Sequence, residues 1–167
     1  TGGITATGDT IVVAVIDGGM DWTHEDLSCW ENCHEIPNNQ IDDDGNGYID
    51  DYRGWNAYNH NGYIGAHTHG THVSGIVGAV GNNGTGVCGV NWNVKVMPIA
   101  GSSGDESIVV EAYSYALEMR ARYNESNGEE GAFIVATNSS FGVDYGYPDD
   151  YPIWCAMYDE MGAVGIL

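Results

Sequence analysis

Apolar residues fall along this chain in two alternating kinds of block. Thr10–Ile16 (TIVVAVI) is an unbroken, β-branched run that ends at Asp17-Gly18-Gly19. A run without polar alternation marks a strand buried on both faces, the usual state in a parallel sheet. Val94–Ile99 and Phe133–Thr137 are two more such runs, and Val164–Leu167 reads as the start of a fourth. Between them the spacing lengthens. Ile108, Ala112, Tyr115, Ala116 and Met119 recur at helical intervals and predict a helix over Ser107–Tyr123. His69–Val80 reads as a helix of small and β-branched residues, and Tyr151–Met161 as a third helix. Strands alternating with helices imply an α/β fold, a parallel sheet flanked by helices. Chemistry in such sheets sits at the carboxyl ends of the strands.

One block has no period. Cys29 to Asn61 is polar and rich in Asn, Asp and Gly, a long loop of the kind that carries function or binds something. The far end is also unusual. GAVGIL stops inside an expected buried strand, whereas domain boundaries fall in polar, exposed segments. Val164, Ile166 and Leu167 would then need neighbours in the sheet, so the chain is expected to be the first part of a larger folded unit.

Composition narrows the class. The 167 residues suit one domain or most of one, and 43% are hydrophobic, enough for a core. No apolar run approaches membrane-spanning length, and no basic-plus-apolar leader opens the chain, which is expected to be mature or internal sequence. Four Lys and Arg against 24 Asp and Glu give a formal charge of −20. That surface repels nucleic acid and anionic membrane, so neither is expected as a partner. It suits a secreted, extracellular protein whose carboxylates hold cations. Of the cysteines, Cys29 and Cys33 are expected to form a local disulfide, and Cys88 and Cys155 to be buried free thiols.

The candidate chemistry centres on HTHGTHVSG at 67–75. His67, His69 and His72 have H-x-H-x-x-H spacing, which resembles the zinc motif of metallo-β-lactamase-fold hydrolases. Thr71 stands where that family places Asp, however, and no histidine follows His72. The other reading is acid–base chemistry. Asp17 closes a hydrophobic strand and His69 opens a helix; a buried carboxylate bonded to one ring nitrogen fixes the tautomer and stabilises the imidazolium.

Taken together, these two motifs resemble those of the subtilisin-like serine proteases, the subtilases. VAVIDGGMDWTHEDL resembles their aspartate motif and HTHGTHVSGIVGAV their histidine motif, and the likeness continues in order through GNNGTGVCGVNWNVKVMPI and ATNSSFG. The resemblance implies a subtilisin-like fold, incomplete in this chain. Residues 1–167 would be the N-terminal portion of one catalytic domain, with an insertion at about 29–61. It implies that Asp17 is the triad aspartate and His69 the general base, with His67 and His72 as bystanders. By the same resemblance Asp26 belongs to a calcium site completed by Asn83 and by carbonyls of Val80, Thr85 and Val87. Ser140, Phe141 and Gly142, and the Ala100–Gly104 segment with Gly101 and Gly104, match the strands that pair with an extended peptide substrate.

The loop IDDDGNGYIDD at 41–51 points to calcium without the family. Asp42, Asp44 and Asn46 alternate, Gly47 allows a sharp turn, and Asp50 follows, like the front of an EF-hand loop. The carbonyl of Tyr48 is a further expected ligand, and Arg53 stands where the bidentate Glu would be. The family's nucleophilic serine motif and its oxyanion asparagine are not in these 167 residues. Ser139 and Ser140 belong by resemblance to the substrate strand, and Ser74 to a helix. The expected activity is therefore peptide-bond hydrolysis by an Asp-His-Ser triad. The serine would come from a C-terminal segment or a second polypeptide carrying the C-terminal half of the domain. The rival class is a non-catalytic, calcium-dependent peptide-binding module.

Overall fold

The computed structural model describes residues 2–167. Four parallel strands form one sheet: β1 (Val12–Asp17), β2 (Trp55–Asn56), β3 (Lys95–Ala100) and β4 (Ile134–Ser139), in the order β2-β3-β1-β4. Helix α1 (Thr68–Gly78) precedes β3, α2 (Glu106–Glu125) joins β3 to β4, and α3 (Pro152–Val164) follows β4.

The apolar runs lack alternation because the sheet is covered on both faces. Val12, Ala14 and Ile16 of β1 and Met97 and Ile99 of β3 enter the core under α2 and α3, with Val109, Tyr113, Ala116 and Met119. Val15 and Val96 point the other way, to Met20 and Val73 beneath α1. Period-two alternation thus sorts one strand into two cores, and each fully buried Val, Ile or Met stabilises by about 1.5–3 kcal/mol.

Small residues let α1 lie close to the sheet. A β-carbon on Gly78 would stand 2.9 Å from Val94 Cγ2 and 3.0 Å from Val96 Cγ2. Helix α2 starts where the Asp105 carboxylate accepts the Ser107 N–H at 3.0 Å, and it ends before Asn127 and Gly128, both at positive φ.

Three expectations are corrected. Residues 164–167 are not a strand: α3 runs to Val164, Gly165 turns left-handed at φ 95°, and Ile166 N–H bonds back to the Met161 carbonyl at 2.9 Å. Only Leu167 reaches the sheet, accepting from Thr137 N–H at 2.9 Å and donating to the Val135 carbonyl at 3.0 Å. Ile166 is buried in the core and Leu167 is exposed. A short apolar run cannot by itself distinguish a strand from a helix end. The cysteines are all free: Cys29 Sγ turns to the Trp22 carbonyl at 3.6 Å, and Cys33 is exposed. Cys88 is exposed too, and Cys155 half-buried, so neither is a core thiol. Strand β2 lies inside the segment read as pure loop. Its two residues carry no period, and pairing with Ile99 and Ala100 defines them.

Candidate active site

At β1 the chain reverses its direction of build-up. β3 lies on one side of it and β4 on the other, so the carboxyl ends of these strands enclose a crevice. Asp17 is the last residue of β1, and its carboxylate is 2% exposed. Helix α1 starts directly above it. Gly70, in the helix's first turn, has no side chain to hold the helix away: a β-carbon there would meet the Gly19 carbonyl oxygen at 1.9 Å and Asp17 Cβ at 3.1 Å.

That close approach brings His69 Nδ1 to 2.7 Å from Asp17 Oδ2. Nδ1 donates, which leaves Nε2 as the acceptor nitrogen on a ring whose side chain is 55% exposed. Asp17 Oδ1 accepts the Gly18 N–H at 2.7 Å and has His67 Nδ1 at 3.2 Å. The hydrogen bond that His67 makes is a different one: its Nδ1 accepts the Gly70 N–H at 3.4 Å and caps the start of α1. His72 points away and lines a cavity of about 750 Å³ on the flank of α1, with Thr68, Thr71 and Ile76. Among the described residues the three histidines do not bring ligand atoms together as a metal cluster. The geometry is that of an acid–base couple and not of a cage.

The expected substrate strands flank the couple. The N–H groups of Gly101 and Ser102 both donate to the Asp17 carbonyl, at 2.8 and 3.2 Å, tying the β3 exit to β1. Gly101 is buried, and a β-carbon there would lie 2.5 Å from Ala112 Cβ, so this glycine serves close packing on α2. Gly104 and Gly142 have open space around them. Ser140 is exposed past the end of β4, and the Phe141 ring packs 6.0 Å from Trp154. Ser139 Oγ is engaged with Tyr113 OH at 2.7 Å, so it is turned towards the core side and not towards His69.

The first expected cation site is assembled around Asp26, which is 2% exposed. Asn83 Nδ2 donates to its Oδ1 at 2.7 Å and Val87 N–H to its Oδ2 at 2.9 Å, and these bonds hold its carboxyl below the usual range. Gly86, at φ 53°, is required here, since a β-carbon would lie 2.2 Å from Asp26 Oδ2. The loop of Val80, Asn83, Thr85 and Val87 therefore wraps the carboxylate, with Val80 N–H bonded to the Asp26 carbonyl at 2.9 Å. Asn83 Oδ1 faces the Thr85 N–H at 3.1 Å, so the set fits a cation only after this amide turns over.

The acidic loop differs from its sequence pattern. Asp42 and Asp44 do converge, but the third carboxylate beside them is Glu35, with ligand atoms of all three within 4.8 Å of one another. Glu35 is 4% exposed; Oε1 accepts the Asp43 N–H at 2.8 Å, and Oε2 has no partner. Burial pushes this carboxyl up. An orphaned, buried carboxylate oxygen beside two aspartates is what a hard cation would satisfy. Asp50 lies apart, accepting the N–H groups of Asn39 and Gln40 at 2.9 and 3.1 Å. Asn46 turns its oxygen to the Tyr48 N–H at 2.7 Å and its nitrogen to Asp51 at 3.0 Å. Of the expected residues, Asp42 and Asp44 thus lie together beside Glu35, while Asp50 and Asn46 are engaged elsewhere. The signal for Glu35 was an acidic residue in the same loop, seven positions upstream of Asp42, with nothing periodic to mark it.

The loop is bolted to the core. Tyr48 sits edge-on to Trp55 and Tyr115, with ring centroids 4.8 Å apart in both pairs. Asp51, fully buried, accepts from Tyr115 OH at 2.8 Å, and burial pushes its carboxyl up to about 6 despite its three hydrogen-bonding partners.

Comparison with known proteins supplies the relatives. The model of the Subtilase family matches residues 8–162. Subtilisin-like protease 1 of Plasmodium berghei is 45% identical over 93 residues, which is 53% of this chain and 16% of that protein. An extracellular protease of Xanthomonas campestris is 40% identical over 103 residues, 56% of this chain and 18% of that protein. The chain therefore spans less than a fifth of either relative. Among solved structures, the Aeromonas sobria serine protease, crystallised with its chaperone, superposes on 93% of this chain and 22% of its own, with a TM-score of 0.59 at 17% identity. That last likeness speaks to the fold alone.

Proposed function

The chain belongs to the subtilase family, and on that premise we propose that it supplies two of the three triad residues of a serine endopeptidase. His69 is the general base. Its Nε2 accepts the proton of a serine hydroxyl as the serine oxygen attacks the scissile carbonyl, and then returns that proton to the leaving amine nitrogen. Asp17, buried and bonded to His69 Nδ1, keeps Nδ1 as the N–H nitrogen and stabilises the imidazolium formed between the two transfers. Water then repeats the sequence to release the acyl group from the serine.

The serine and the side-chain oxyanion donor lie outside these residues, in a C-terminal segment or a second polypeptide that completes the domain. An extended polypeptide substrate is held between the segments at 100–104 and 139–142, pairing with their backbone. Calcium is the proposed cofactor, at the Asp26 loop and at the Glu35, Asp42 and Asp44 cluster. Its role there is structural: it neutralises converging carboxylates and ties loops down. Secretion accords with the charge of −20 and with calcium-stabilised loops.

One observation carries the reading above the others, the 2.7 Å contact between His69 Nδ1 and a buried Asp17 at the sheet's crevice. The test is a fluorophosphonate probe applied to the chain together with the completing polypeptide. The serine of that polypeptide should label, and His69→Ala should abolish labelling without separating the two. Labelling of Ser139 or Ser140, or peptide hydrolysis by this chain alone, would overturn the assignment.

A further inference from the structure

We propose that Tyr58 is a positioning residue for the 100–104 segment: its phenol supplies the rung that β2 lacks and holds Ser102 against the Asp17 end of β1. The purpose rests on the reading of 100–104 as a strand that pairs with an extended peptide substrate; the contacts do not.

Strand β2 is two residues long, and the chain of β3 runs on past it. Asn56 pairs with Ala100, and the Ala57 N–H donates to the Ala100 carbonyl at 2.8 Å. There the backbone leaves. The Tyr58 N–H donates to Asn56 Oδ1 at 3.1 Å, as the Asn59 N–H does at 3.2 Å, and the Asn56 N–H closes the turn on the Asn61 carbonyl at 2.9 Å. Asn56 is itself buried, and its Nδ2 donates to the Tyr63 carbonyl at 2.9 Å. An asparagine that captures nearby N–H groups builds a turn in place of a ladder. The side chain of Tyr58 goes on where its backbone does not. Its OH donates to the Ser102 carbonyl at 2.5 Å and lies 3.2 Å from Ser102 Oγ.

Ser102 is thereby tied in two directions. Its N–H, beside that of Gly101, donates to the Asp17 carbonyl, and its carbonyl accepts the phenol. The tie runs from the loop before α1, through the 100–104 segment, to the residue that binds His69. Farther along, the segment has looser surroundings: Gly104 has open space around it. A strand that pairs with a peptide binds better when it is ordered beforehand, because less conformational entropy is lost on binding. The turn at 56–61, at the end of the polar block 29–61, therefore serves the substrate groove as well as its own loop.

Tyr58→Phe in the chain assembled with its completing polypeptide tests the assignment. Tyr58 is 38% exposed, so the ring without its hydroxyl is tolerated. Hydrolysis of an extended peptide should show KM raised roughly three- to tenfold, the worth of one hydrogen bond, with kcat changed less than about twofold. A single-residue ester, too short to lie along 100–104, should keep its KM. Amide hydrogen exchange of Ser102 should quicken by roughly the same three- to tenfold. An unchanged KM for the extended peptide overturns the proposal, as does an equal rise for the ester or an unchanged Ser102 exchange rate. If the parent assembly hydrolyses neither substrate, the protease reading fails, and the Ser102 exchange rate alone then decides whether Tyr58 holds the segment.

Discussion

Gly70 lies directly over the carbonyl of Gly19, so close that a β-carbon would be 1.9 Å from the oxygen. This contact sets the height of α1 above Asp17, and so the reach of His69. Gly70→Ala should lift the helix start and cost about 1–3 kcal/mol, the usual range for overpacking. Urea denaturation reads the loss, and the His69 Nδ1–H signal should disappear with it. Gly104→Ala, where a β-carbon meets nothing within 4 Å, should stay within about 0.5 kcal/mol of the parent.

The cluster of Glu35, Asp42 and Asp44 predicts an asymmetry within one loop. Glu35→Gln should weaken calcium binding there, whereas Asp50→Asn should not, because Asp50 is occupied with Asn39 and Gln40. Terbium luminescence or calorimetric titration distinguishes the two. With calcium at about a hundred times its dissociation constant, chelation should remove about 2.7 kcal/mol of stability. Equal loss from both variants would contradict the ligand set.

Arg120 joins three elements. Its guanidinium donates to the Ile134 carbonyl at 2.5 Å and to Asn124 Oδ1 at 3.0 Å, and lies 4.1 Å over the Phe133 ring. Asn124 in turn donates to the Val164 carbonyl at 3.0 Å, at the end of α3. Arg120→Ala should destabilise by about 2–4 kcal/mol, since it leaves a buried carbonyl unpaired and removes packing. Arg120→Lys should recover less than half of that, because a point charge cannot span the fork. Thermal or urea unfolding checks both.

The thiols should react in a fixed order. Burial pushes the Cys29 thiol up to about 11, while Cys33 and Cys88 are exposed. At pH 8 the Cys29 thiolate is therefore scarce, and its alkylation should lag far behind that of Cys33 and Cys88. Its rate should keep rising with pH up to about 11. Mass spectrometry of iodoacetamide time courses follows each site. Protection of Cys33 equal to that of Cys29 would point to a bridge between them.

Much of this molecule is legible in its sequence where a feature depends on near neighbours along the chain. The two-sided burial of β1 shows in TIVVAVI because every residue of a strand covered on both faces must be apolar. Helix α2 shows in its spacing, and Asp17 and His69 show because strand end and helix start lie within short motifs. Three features were decided by tertiary structure alone. The contact between His69 and Asp17 forms only because α1 docks on β1 at the height Gly70 allows. Glu35 joins Asp42 and Asp44, and Asp50 leaves them, because the loop is pinned by Tyr48 and Asp51 against Tyr115, far along the chain on α2. The 164–167 run became a helix end because Gly165 could turn left-handed while Ile166 found the core. Periodicity records which face a residue turns to. Which partner waits on that face depends on how distant elements pack, and no local pattern carries that information.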